Sequence, residues 1–137
     1  MTAQAVANKP ALFTYAIGST VFPAAVFPDG TIVGDPALNA QTQKAHPGAR
    51  LLLYATGLTS SPSGQLINAA IPVSDTVTVK LGNTDAGKAT VEFAGLVAVG
   101  EFQINIVIPS LPDGNYPVTL TIDGQTSQTG VVIPIQN

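Results

Sequence analysis

The sequence predicts an all-β fold, a sandwich or barrel of about seven to nine strands. Three observations carry that expectation. The dominant hydrophobic period is two, the spacing of a pleated strand with one face buried. Turn dipeptides separate the alternating runs. Eleven prolines and thirteen glycines leave almost no uninterrupted helical window.

The chain is read as an N-terminal arm over residues 1–9 and one domain over residues 10–137. At this length a single domain buries a real core. The arm, "MTAQAVANK", is neither a signal peptide nor a helix: its only charge is Lys9, and Gln4 and Asn8 interrupt its apolar residues. "DPALNAQTQKA", from Asp35 to Ala45, is the one helical candidate, with Asp35 as N-cap and Pro36 at the first helical position. At most a short turn of helix is expected there.

The strands follow. "RLLLYAT" is apolar on both faces, as a central strand can be. "TVTVKL" sets Val77, Val79 and Leu81 opposite Thr76, Thr78 and Lys80. "ATVEFA" sets Val91 and Phe93 against Thr90 and Glu92. "FQINIVI" aligns Phe102, Ile104, Ile106 and Ile108 against Gln103, Asn105 and Val107. "YPVTLTID" aligns Tyr116, Val118, Leu120 and Ile122 against Thr119 and Thr121, and "GVVIPI" supplies Val131, Ile133 and Ile135. Asp29-Gly30, Asp113-Gly114 and Asp123-Gly124 read as tight turns, because glycine tolerates positive φ. With no Trp and no Cys, the core is held by aliphatic packing alone.

Composition narrows function by exclusion. Charged residues are 9% of the chain, against about 25% in an average soluble protein. The five basic residues are scattered and the net charge is −3, so nucleic acid is excluded as a partner. The charge-free run from Leu51 to Ser74 contains "TGLTSSPSG", which cannot cross a membrane as a helix, so no membrane insertion is expected. Without cysteine there is neither disulfide nor thiolate metal site.

Each residue suited to chemistry has a plainer role. His46 is the one histidine, in a loop-like "AHPG" with no Gly-x-Ser-x-Gly elbow to serve. A glycosidase needs two facing carboxylates; Glu92 falls on an outward strand face and Glu101 at a strand start. Asp29, Asp113 and Asp123 precede glycines, and Asp35 precedes Pro36. Asp29, Asp35 and Asn39, with Asn83 and Asp85, are oxygen ligands without EF-hand spacing. No catalytic residue, metal site or cofactor is therefore assigned, and a non-enzymatic protein is expected.

The ordered segments "KPALFTYA", "AAVFPDGTIVG", "HPGARLLLYATGL", "VTVKLGN" and "VEFAGLVAVGEFQINIVIPSLPDGNYPVTLTIDGQTSQ" resemble the Solibacter-type C-terminal domain. That domain recurs near the C-termini of large extracellular proteins of acidobacteria. The matching positions are Pro10 to Thr14, Tyr54 to Leu58, Leu81 to Asn83, Ala94 to Leu96 and Gly100 to Pro109. The second Gly of the family's YaTGLG motif is Thr59 here, and its aromatic before QvN is Phe102. The resemblance implies an immunoglobulin-like antiparallel β-sandwich, secreted or held at the cell surface, and it transfers no active site.

It also implies that the segment before the domain is the last strand of a preceding sandwich. Thr2, Ala3, Gln4, Ala5, Val6, Ala7 and Asn8 then form a candidate donor strand, with Thr2, Gln4, Val6 and Asn8 on one face and Ala3, Ala5 and Ala7 on the other. Such a strand pairs back on its own sheet or joins the next subunit by strand addition. The second contact is heterologous, and its repetition gives a filament. The expected function is a structural or adhesive extracellular module that assembles with itself. The competing expectation is a module that binds a surface glycan or protein through exposed aromatics, Tyr54 or Phe27 among them.

Overall fold

The computed structural model describes residues 10–57, 71–72, 77–98, 101–122 and 124–137. The strand elements begin with β1 (Ala11–Leu12), β2 (Thr14–Ile17), β3 (Thr20–Pro23) and β4 (Ala25–Val26). Then come β5 (Ile32–Val33), β6 (Thr42–Gln43), the longer β7 (Arg50–Thr56) and β8 (Ile71–Pro72). After them run β9 (Val77–Leu81), β10 (Thr90–Ala98) and β11 (Glu101–Val107). The chain closes with β12 (Gly114–Ile122), β13 (Gln125–Thr126) and β14 (Val132–Ile135). The all-β class is as the sequence predicts.

Two sheets enclose the core. The first has the order β6-β5-β4-β7-β11-β10-β8, with β1 also paired to β7. The second is built on β12, which carries β9 on one flank and the β13–β14 segment on the other. Pairing is antiparallel except between β5 and β6. Single bridges join the two sheets. Ala45, just past β6, bridges Ile135 of β14, and Lys80 of β9 bridges Lys88 just ahead of β10. Each of these bridges ties the two sheets together at one point.

Strand alternation fills the interior. Leu51, Leu53 and Ala55 of β7 meet Phe102, Ile104 and Ile106 of β11 on the inner face. Val79, Leu81, Val118, Leu120, Ile122, Val131, Ile133 and Ile135 come from the second sheet, and all belong to one continuous core. β7 is central, as its doubly apolar pattern predicts, and turns Leu52 and Tyr54 outward half-buried. Between β13 and β14 the buried Ser127 keeps the ladder satisfied: its hydroxyl accepts the Leu120 N–H at 2.9 Å, and its own N–H donates to the Leu120 carbonyl at 2.8 Å.

β10 corrects one expectation. Val91 and Phe93 do not share a face, because the register shifts between them. Val91 pairs with the inward Ile106 and packs on the core, whereas Phe93 pairs with the outward Asn105. An extra residue in one strand reverses the facing of everything after it. At Asp35 the chain makes a turn and no helix: its carbonyl accepts the N–H groups of Leu38 and Asn39, and its carboxylate accepts that of Ala37.

Candidate functional site

The candidate donor strand, Thr2 to Asn8, lies outside the described residues. The feature that bears on it is the surface that could receive a strand. That surface is built by a hairpin the sequence reading passed over.

β2 and β3 form a two-residue hairpin, with Ile17 opposite Thr20 and Gly18-Ser19 at the turn. Gly18 has φ of 60°, the left-handed region that such hairpin turns require. The hairpin leaves the first sheet after β1 and returns to it at β4, since β1 and β4 both pair with β7. Its β3 side reaches the second sheet through a parallel bridge from Val21 to Val131. Among the described residues no strand pairs with the outer edge of β2. Antiparallel bonding alternates, and the Ala24 N–H donates to the Phe13 carbonyl at 2.7 Å. Phe13 itself gives its N–H to the Tyr54 carbonyl of β7 at 2.9 Å. By the alternation Tyr15 and Ile17 bond inward, toward β3, while Thr14 and Ala16 present their N–H and C=O groups to the open edge.

Tyr15 anchors this hairpin. Its hydroxyl donates to the Val33 carbonyl, and its ring lies 5.4 Å from that of the buried Phe22. Burial pushes the phenol above its ordinary pKa, so the neutral donor form is favoured. The approach depends on Gly34, where a Cβ would stand 2.6 Å from the Tyr15 hydroxyl and 2.8 Å from Thr42.

Beside Tyr15 the hairpin leaves a cavity of about 340 Å³, lined by Tyr15, Ala24, Ala25, Val26, Ile32 and Tyr54. Its walls are carbon apart from the phenols. The register sets Phe13 opposite Tyr54 on the outer face, and Tyr54 opposite Gln103. Gln103 donates to the Asn105 side-chain carbonyl at 2.8 Å. Phe13 is 41% exposed and Ile32 44%. Phe27, named with Tyr54 as a candidate contact, is buried in the core.

The residues weighed for catalysis and metal binding stay apart. His46 is exposed in the loop ahead of β7, where its Nδ1 meets the Gln136 carbonyl. Glu92 faces outward and pairs with Arg50 at 2.8 Å. Glu101 begins β11, half-buried. The Asp29 carboxylate accepts the Thr31 N–H, and this bond lowers its pKa. Asp113 is lowered in the same way by the Asn137 N–H at 2.8 Å, which ties down the end of the chain. Asn39 accepts the Gln41 N–H, and Asp85 lies 3.5 Å from the Lys80 ammonium. Asp123 lies outside the described residues. Among the described residues no group of three or more His, Cys, Asp or Glu side chains could hold a metal, and no helix is long and apolar enough to cross a membrane.

Comparison with protein-family models, with curated proteins and with solved structures finds no match for this chain.

Proposed function

We propose that this protein is a non-enzymatic structural or adhesive module of the cell exterior, whose copies join when the N-terminal segment of one adds as a strand to the β2 edge of the next. The observation that carries the reading is the edge of β2 at Thr14 and Ala16, with which no strand pairs among the described residues. Strand addition to such an edge satisfies backbone groups on both partners. Because donor and acceptor are different surfaces, the contact repeats head to tail into a filament. The resemblance to an extracellular domain family and the hydroxyl- and amide-rich, weakly charged surface agree with this setting.

The test is electron microscopy of the full chain beside a version without residues 1–9 and beside Ala16→Pro. The proline removes an edge N–H that points away from β3, so it blocks addition while leaving the hairpin's own bonds in place. Filaments in the full chain and single particles in both variants are expected. Filaments that survive both changes contradict the reading.

A second reading is supported by the outer row of Phe13, Tyr54 and Gln103. The exposed Phe13 ring and the half-buried Tyr54 ring beside paired amides offer a stacking surface with hydrogen-bonding neighbours, as a neutral surface glycan or a protein partner would need. Glycan-array binding lost in Tyr54→Ala, with no filaments at any concentration, is the result that favours it.

A further inference from the structure

The geometry points to the cavity between Tyr15 and Tyr54 as the socket for Val6 of a second copy's N-terminal segment. This rests on the strand-addition reading and adds to it a register. The open edge and the cavity are separate observations that meet at one residue: Tyr15 is in the middle of β2 and also walls the cavity.

In β-strand addition the main chain supplies the affinity and side-chain pockets beside the edge set the register. A strand bonded to Thr14 and Ala16 carries alternate side chains over the two faces of the hairpin. One face holds Tyr15 and Ile17, both half-buried, and the other Thr14 and Ala16, both exposed. The cavity is on the Tyr15 face, and its carbon walls select an apolar side chain over a polar or charged one.

The chain itself supplies such an occupant. Residues 1–9 stand ahead of the described part and end against the buried Pro10. Across Thr2 to Asn8, Val6 is the single branched aliphatic residue, on a face otherwise made of Thr2, Gln4 and Asn8. Seating Val6 in the cavity turns the small Ala3, Ala5 and Ala7 toward the exposed Thr14 and Ala16 face. The opposite orientation sets only alanine against a cavity of about 340 Å³ and leaves Val6 in water.

A second copy suits the occupant better than the same copy. β1 runs from Ala11 into β2, so the preceding chain departs from the far end of β1. Lys9 stands before a proline, which disfavours the helical region and favours an extended backbone at Lys9. Within "TAQAVAN" the one turn-favouring residue is Asn8, so Thr2 to Ala7 form an uninterrupted extended-compatible run.

The absence of cysteine from the sequence makes the register directly testable. A Val6→Cys copy is mixed with an Ile32→Cys copy under mild oxidation, with Ala5→Cys as the opposite-face control. Ile32 is an exposed wall of the cavity, so its replacement leaves the core untouched. The proposal expects a mixed disulfide dimer that grows with protein concentration, at least about tenfold above the Ala5→Cys mixture, because a disulfide demands close and well-aimed Cβ atoms.

Light scattering on the same samples separates the two levels. Large assemblies with no Val6–Ile32 coupling overturn this register and leave strand addition standing. Monomers with no coupling overturn both. An intramolecular bridge in a chain carrying both substitutions, without coupling in the mixture, assigns the socket to the chain's own segment and overturns a second copy as occupant.

Discussion

Gly34 sets how closely Tyr15 and Thr42 pack around the end of β5. It is invisible as a site in the sequence, where it reads as one more glycine before Asp35. Its lack of a Cβ lets the Tyr15 hydroxyl reach the Val33 carbonyl and lets Thr42 close in from the other side. Gly34→Ala is expected to destabilise the fold by about 1–3 kcal/mol, the usual range for overpacking, read by denaturant unfolding. Tyr15→Phe in the same background relieves only part of this, since Thr42 still obstructs the added methyl at 2.8 Å. Restoration of full stability by Tyr15→Phe would mean that Thr42 does not constrain this position. Sequence reading succeeds at the residue scale where alternation is uninterrupted. The inward side chains of β11, β12 and β14 follow their pattern into the core. It fails at Phe93, because a one-residue bulge carries no compositional mark and flips the facing beyond it.

At the scale of elements, β1 is the segment most exposed to loss, and a side chain holds it. Only Ala11 and Leu12 pair with β7. On its other flank, Gln128 behaves as a missing strand: its side-chain oxygen accepts the Leu12 N–H at 3.0 Å and its amide nitrogen donates to the Leu12 carbonyl at 2.8 Å. Removing such a partner leaves part-buried backbone groups without bonds. Gln128→Ala is expected to destabilise the protein by about 1–3 kcal/mol and to speed amide exchange at Leu12 ahead of global unfolding. Gln128→Glu keeps the acceptor but turns a second oxygen on the Leu12 carbonyl, so at neutral pH it is expected to be no better than Gln128→Ala. Exchange at Leu12 unchanged in Gln128→Ala would show that β7 alone fixes β1. None of this is readable locally, since Leu12 and Gln128 stand 116 positions apart. The hairpin of β2 and β3 was legible in principle: Thr14 and Ala16 alternate with Tyr15 and Ile17, and Gly18-Ser19 is a two-residue turn. The paired segments of two residues carry no period at all, so they emerge only from tertiary pairing.

Across the whole molecule, sheet closure and an open edge are two sides of one arrangement. Ala45 to Ile135 and Lys80 to Lys88 tie the sheets together, and the hairpin diverted from β7's flank is left with an outer edge at β2. Long unpaired edges invite association, and proteins commonly blunt them with charge, proline or a bulge. The β2 sequence Thr-Tyr-Ala-Ile contains neither charge nor proline. Its four-residue length is the one blunting device it carries. The fold class was open to inference from composition and period, whereas the site is a product of register and of long-range pairing.

Amide hydrogen exchange at Thr14 and Ala16, followed from dilute to concentrated protein, tests the strand-addition claim most directly. Both N–H groups point away from β3. Strand addition predicts fast exchange in dilute solution and protection that rises with concentration, with Tyr15 and Ile17 protected throughout. Exchange at Thr14 and Ala16 that stays fast at every concentration, or that is equally slow in the dilute monomer, would contradict it.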